Sequence, residues 1–228
     1  MTPRRKPIIA IDGPAGAGKT TAARNLAEKL GLVYLDTGAT FRAVALQALR
    51  QGVALDDEPA LLAIAERCDI SFGGDRFEKI LLDGEDVSRA IREPPVALAS
   101  SRVAVHPRVR ARLVELWRRI GAGGGVILEG RDIGTEVFPD AEIKFFLDAR
   151  QAERASRRFR EQGEGTLTLE GVKRELETRD ETDRSRAHSP LRRAEDAILV
   201  DTTHLTPEET LEILLKEARS RLKDADLT

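Results

Sequence analysis

The stretch Gly13-Pro14-Ala15-Gly16-Ala17-Gly18-Lys19-Thr20 constrains this chain more than any other part of it. It fits G-x-x-x-x-G-K-[ST], a loop that cradles phosphate. Before it runs Pro7–Asp12, short and apolar, the signature of a buried strand. After it, Thr21–Leu30 reads as a helix with Gly31 as its stop. In such a strand–loop–helix unit the glycines let the backbone turn sharply, so that several N–H groups aim at one anion. The helix N-terminus adds its partial positive charge. Lys19 would reach the β- and γ-phosphates of a nucleotide, and the Thr20 hydroxyl would hold Mg²⁺. The expected nucleotide-binding set is therefore Gly13, Pro14, Ala15, Gly16, Ala17, Gly18, Lys19, Thr20 and Thr21.

Further short apolar runs follow at Leu32–Leu35, Val126–Glu129, Ile143–Leu147 and Ala197–Val200. Helical patterns separate most of them, which predicts an α/β fold. The expected architecture is a three-layer α/β/α P-loop fold with a five-stranded parallel sheet. Ligands in such sheets sit beyond the carboxyl ends of the strands. Asp12, Asp36, Glu129 and Asp148 fall at those ends, where phosphates and Mg²⁺ would be, and Asp36 joins Thr20 as a candidate metal ligand.

About 90 residues separate Asp36 from Val126, too many for one crossover helix. Phe41–Gln51 and Pro59–Arg67 look helical. Asp69–Phe72 and Phe77–Leu82, with turns at Gly73-Gly74 and Asp83-Gly84, read as a small antiparallel unit. Helical sequence resumes near Pro95 and continues after His106-Pro107 to Ile120. Residues 69–93 are expected to be an inserted subdomain on a core made of 1–68 and 94–228. From about 150 to 190 the sequence predicts two helices joined by Gln162-Gly163-Glu164-Gly165-Thr166. Arg150, Arg154, Arg157 and Arg158 fall on one face of the first. Such a pair suits a lid that closes over phosphates.

Composition removes several classes of function. The net charge of −2 gives no global attraction to nucleic acid or an acidic membrane. A lone cysteine, Cys68, excludes an intrachain disulfide framework. No apolar run approaches the roughly 18 residues of a membrane span. The basic start leads into a first strand rather than a signal peptide, which predicts a cytoplasmic protein. The helices show no spare apolar face, which predicts a monomer.

Phosphoryl transfer needs an acceptor pocket, positive charge on the moving group and exclusion of water. The long insertion supplies room, and the lid supplies arginines. Arg42, Arg110 and Arg131 are candidates to clamp an acceptor phosphate, because guanidinium grips phosphate in bidentate fashion. Glu129 and Asp132 flank Arg131 and suit a base, a sugar or the arginine itself. An N-K-x-D guanine motif is missing, and no module for coupling to a partner is evident. These residues fit a small-molecule kinase best.

Several stretches resemble the bacterial cytidylate kinases, nucleoside monophosphate kinases of the P-loop group. They are Ile11–Lys19, Leu35-Asp36-Thr37-Gly38-Ala39-Thr40-Phe41-Arg42, Ser101–Ala104 with Pro107–Arg110, Glu129-Gly130-Arg131-Asp132-Ile133-Gly134-Thr135 with Val137–Ala141, and Lys144–Ala149. The Arg179, Asp183 and Arg186 set completes them. The resemblance implies transfer of the ATP γ-phosphate to CMP or dCMP, with Mg²⁺. It implies that Thr37, Arg42, Ser101, Arg110, Glu129, Arg131, Asp132, Arg179 and Asp183 surround CMP. Ser101, Arg110 and the carboxylate at 129 or 132 would read cytosine, whose N4 amine favours an acceptor. Asp183 would contact the sugar. Lys19, Arg131, Arg179 and Arg186 would act on the phosphates, and Arg154, Arg157 and Arg158 would close over ATP. Three positions depart from the family pattern: Thr37 for serine, Phe41 for tyrosine and Glu129 for aspartate. The rival readings are a kinase for UMP, AMP or shikimate, and a regulatory ATPase that signals through the insertion.

Overall fold

The computed structural model describes residues 6–74, 79–162 and 168–222. The basic start Met1–Arg5, the Phe77-Glu78 end of the expected hairpin and residues 163–166 of the expected link lie outside these. The chain divides into two compact units. One comprises the residues up to Leu32 with those from Gly124 on, and the other is Val33–Gly123.

The first unit is built on strand β1, Ile8–Asp12, buried at every residue. Such complete burial is what an uninterrupted apolar run requires. Helix α1, Lys19–Leu30, follows the P-loop and ends on Gly31 in the left-handed conformation. The second unit begins with β2, Val33–Asp36, and α2, Thr37–Gln51. Helix α2 starts four residues earlier than the periodicity predicts, because Asp36 caps it by accepting the Ala39 N–H at 3.0 Å. Next come α3, Glu58–Arg67, and a small antiparallel sheet of β3, Ile70–Gly73, β4, Lys79–Leu82, and β5, Glu85–Asp86. Strand β5, only two residues long, carries no apolar pattern that would mark it in the sequence. Helices α4, Pro94–Val103, and α5, Pro107–Gly121, complete the unit. Both open on proline, whose missing N–H costs nothing at a first helical turn. Val109, Leu113 and Trp117 form the buried stripe of α5, and the Trp117 indole donates to Thr40 Oγ1 at 3.2 Å.

The chain returns to the first unit with β6, Val126–Gly130, and β7, Ile143–Asp148. Both pair in parallel with β1, so that Asp12 lies opposite Gly130 on one side and Phe146 on the other. Between them sits a π-helical turn, Ile133–Val137, which the sequence did not announce. Helices α6, Gln151–Gln162, and α7, Leu169–Ser185, follow, packing through Ala155, Val172 and Leu176. Strand β8, Ile198–Asp201, pairs in parallel with β7. Helix α8, Pro207–Arg221, opens with a capping box formed by Thr206 and Glu209. The parallel sheet has five strands, as the apolar runs predict, and their order is β2-β6-β1-β7-β8.

Candidate active site

The P-loop leaves β1 through Gly13, whose φ is +146°. A Cβ there would collide with the Leu147 carbonyl oxygen of β7, so only glycine lets the loop start against the neighbouring strand. Lys19 is buried and donates to the Pro14 carbonyl at 2.6 Å. Burial pushes its pKa down to about 7, and the Arg131 and Arg179 guanidinium groups push the same way, against Glu129 and Asp183. The Thr20 hydroxyl donates to Glu129 Oε1 at 2.8 Å. A hydroxyl backed by a carboxylate is an oxygen donor set, the kind a hard divalent cation prefers.

Two long-range ties fix the outer wall of the loop. Arg154 donates to the Ala15 carbonyl at 3.0 Å, and the Thr202 hydroxyl donates to the Ala17 carbonyl at 3.1 Å. The structure therefore separates the three arginines expected to act together. Arg154 is buried and donates to the Ala15 and Ala149 carbonyls and to Asp180. Arg157 donates to the hydroxyl and carbonyl oxygens of Thr202. Among the described residues Arg158 pairs with Glu161, at 3.4 Å. Beside the loop opens a cavity of about 560 Å³, walled by Gly18, Thr21, Arg157, Thr202, Leu205 and Pro207 among others. Its size and mixed lining suit a nucleotide base and sugar. Thr202, Leu205 and Pro207 escaped the sequence reading. The only clue was their place just after the last apolar run.

In the same unit, the loop after β6 carries Arg131 and Asp132, the end of α7 carries Arg179 and Asp183, and Arg186 follows as its cap. Arg131 Nε donates to Asp183 Oδ2 at 2.8 Å, and Arg186 lies 3.5 Å from Asp183 Oδ1. Burial alone would raise the Asp183 pKa, but Arg131, Arg179 and Arg186 outweigh it and hold the carboxyl below its ordinary range. Burial likewise disfavours the charge on Arg131, and Asp183 more than restores it. Asp132 is buried beside them. Three arginines converge here on one aspartate, and Arg131 and Arg179 also act on the P-loop lysine. This excess of cations suits a polyanion.

The remaining predicted residues belong to the second unit. Asp36 accepts from the Ala39 N–H and from Arg42, whose Nη2 lies at 2.7 Å. Thr37 is buried at the start of α2, where its carbonyl accepts the Thr40 hydroxyl at 2.7 Å. Ser101 is half-buried on α4. The Arg110 guanidinium lies over the Phe41 ring, 5.0 Å from its centroid. Phe41 packs edge-on against Trp117 at 5.7 Å. The ring that departs from the family tyrosine thus steadies Arg110 through its face.

The cytidylate kinase family model matches residues 9–220. The chain is 50% identical over 225 residues to the cytidylate kinase of Syntrophotalea carbinolica, covering 97% of this chain and 96% of that protein. It is 49% identical over 223 residues to the cytidylate kinase of a Geobacter species, covering 96% and 95%. A crystal structure of an uncharacterized protein from Eubacterium ventriosum shares the fold, with a TM-score of 0.55 at 12% identity over 95% of this chain and all of that one. With its P-loop and the arginine cluster around Asp183, the chain belongs to the cytidylate kinase family.

Proposed function

We propose that the enzyme passes the γ-phosphoryl group of ATP directly to CMP or dCMP, releasing ADP and CDP or dCDP. Membership of the family makes it a nucleoside monophosphate kinase. The observation that carries the mechanism is the shared field of Lys19, Arg131 and Arg179 around buried carboxylates. Such a cluster offers preorganised positive charge to a transferring phosphoryl group and needs no covalent intermediate. Lys19 and residues 13–21 are assigned to the ATP phosphates. Arg157 and Arg158 close over ATP, while Arg154 anchors the base of the lid. Arg42, Arg131, Arg179 and Arg186 are assigned to phosphates. Ser101, Arg110 and Asp132 read the cytosine edge, Thr37 and Asp183 line the nucleotide, and Glu129 serves both CMP and Thr20. The small sheet within 69–93 is the acceptor-side insertion.

Mg²⁺ fits the donor set of this chain. Thr20 and Asp36 are the residues assigned to hold it. Among the described residues no group of three or more histidine, cysteine or acidic side chains could hold a metal ion. When bound, it neutralises charge between the β- and γ-phosphates. A monomeric state and a cytoplasmic location complete the proposal. Among the described residues no helix is long and apolar enough to cross a membrane.

The test is ADP release from ATP and Mg²⁺ with CMP, dCMP, UMP, AMP or GMP in turn, the products identified by chromatography. Strong turnover confined to CMP and dCMP is expected. Preference for another monophosphate would overturn the specificity assignment, and ADP release indifferent to every acceptor would point to a regulatory ATPase.

A further inference from the structure

Asp12 ends β1 and directly precedes the P-loop, yet its carboxylate serves a different loop. It is 4% exposed. Oδ1 accepts the Ile133 N–H at 2.9 Å and Oδ2 accepts the Gly134 N–H at 2.8 Å. These residues open the π-helical turn, and the leading N–H groups of a helical turn have no partner inside it. Gly134 permits the approach, because a Cβ there would lie 3.0 Å from Lys144 Cδ and 3.4 Å from Asp12 Oδ2. Lys144 holds the other end of the segment, donating to the Pro139 carbonyl at 2.5 Å and to Asp196 at 2.9 Å. Two buried charges, one on β1 and one on β7, therefore pin residues 133–139 at both ends. Arg131 and Asp132 stand immediately before the first pin. An apolar residue would fill the end of β1 without the cost of burying a charge. A carboxylate does what no apolar side chain can, accepting from two successive backbone N–H groups at once.

We propose that Asp12 is a positioning residue for phosphoryl transfer: its two-pronged grip on Ile133 and Gly134 sets the Arg131–Asp132 corner against the P-loop that begins at the next residue. The inference rests on the assignment of Arg131 to the phosphates.

Asp12→Asn tests it, since the amide keeps one acceptor and turns an N–H₂ toward the second backbone N–H. Misplacement of a catalytic group by about 1 Å costs on the order of 10²-fold. Asp12→Asn should therefore lower kcat by about that factor with the Kd for ATP unchanged. A merely structural role would weaken ATP binding as well. The double variant with Arg131→Ala should be no slower than Arg131→Ala alone, because both changes remove one function. Wild-type kcat in Asp12→Asn, or a double variant slower by the full Asp12→Asn factor, would overturn the inference and leave Arg131 in place. Wild-type turnover in Arg131→Ala would overturn the Arg131 assignment and this inference together. Should Asp12→Asn not fold, Gly134→Ala displaces the same corner by pressing a methyl group on Lys144 and Asp12. It should show a smaller kcat loss that is likewise non-additive with Arg131→Ala, and unchanged turnover there would equally overturn the inference.

Discussion

To hold phosphate as proposed, Lys19 must be cationic, yet it sits buried against the Pro14 carbonyl. Burial and the arginines around it bring its pKa from 10.5 to about 7. An unfolded chain keeps the ordinary lysine value. Between pH 7 and 10.5 the unfolded state therefore binds more protons than the folded one, and stability rises with pH across that window. Below pH 7 both states carry the charge, and the cost of burying it is felt in full. Urea unfolding without added nucleotide should show stability increasing from pH 7 to pH 9.5 by at most about 1.4 kcal/mol per unit. Lys19→Met should lose that increase, and parallel pH dependences in the two proteins would contradict the burial of a titrating lysine. In the proposed assignment Arg131 acts through charge on the substrate, and Arg186 remains to balance Asp183 in the fold. Arg131→Ala should lower kcat by roughly 10³-fold or more while its circular dichroism spectrum stays that of the wild type. Turnover near wild type would remove Arg131 from the mechanism.

At the scale of elements, a buried ion pair joins α6 to α7, and its arginine also holds the P-loop. Arg154 meets Asp180 at 2.5 Å with both side chains nearly inaccessible, and Arg154 also holds Ala15. Two charges taken from water need each other, and removing one strands the other. Among the described residues, Asp180 Oδ1 has no hydrogen-bond partner, so Asp180 relies on Arg154 through its second oxygen. Arg154→Met is expected to destabilise the protein by about 3–5 kcal/mol and to raise KM for ATP. A change below about 1 kcal/mol in urea unfolding would show that solvent screens the pair. The arginine face that looks uniform along α6 is thus divided. Arg154 is structural, Arg157 is engaged by Thr202 just after β8, and Arg158 is left near the surface. The spacing of 150, 154, 157 and 158 placed them on one helix face, but it could not say what α7 and β8 would bring against that face.

For the whole molecule, the exposed large apolar residues among those described, Leu49, Leu98, Val105, Leu169, Leu199 and Ile213, lie on separate elements, and the proposed monomeric state makes a prediction. Sedimentation equilibrium should give a single species at the chain mass of 25.1 kDa, and a concentration-dependent dimer would contradict this. The sequence determined the five parallel strands to within a residue or so at each end, because an apolar run is a local property. It determined the P-loop for the same reason, since loop, lysine and threonine are adjacent in the chain. Tertiary structure alone decided the partners of those residues. Thr20 meets Glu129 across 109 positions, Arg154 meets Ala15 across 139, and Thr202 meets Ala17 across 185. Asp12, legible only as an acid at a strand end, became the cap of a turn 121 residues away. A strand end fixes where a carboxylate starts. Which N–H groups it meets is set by the register of β1 with β6 and by the π-helical turn beyond, and no local pattern in the chain encodes either one.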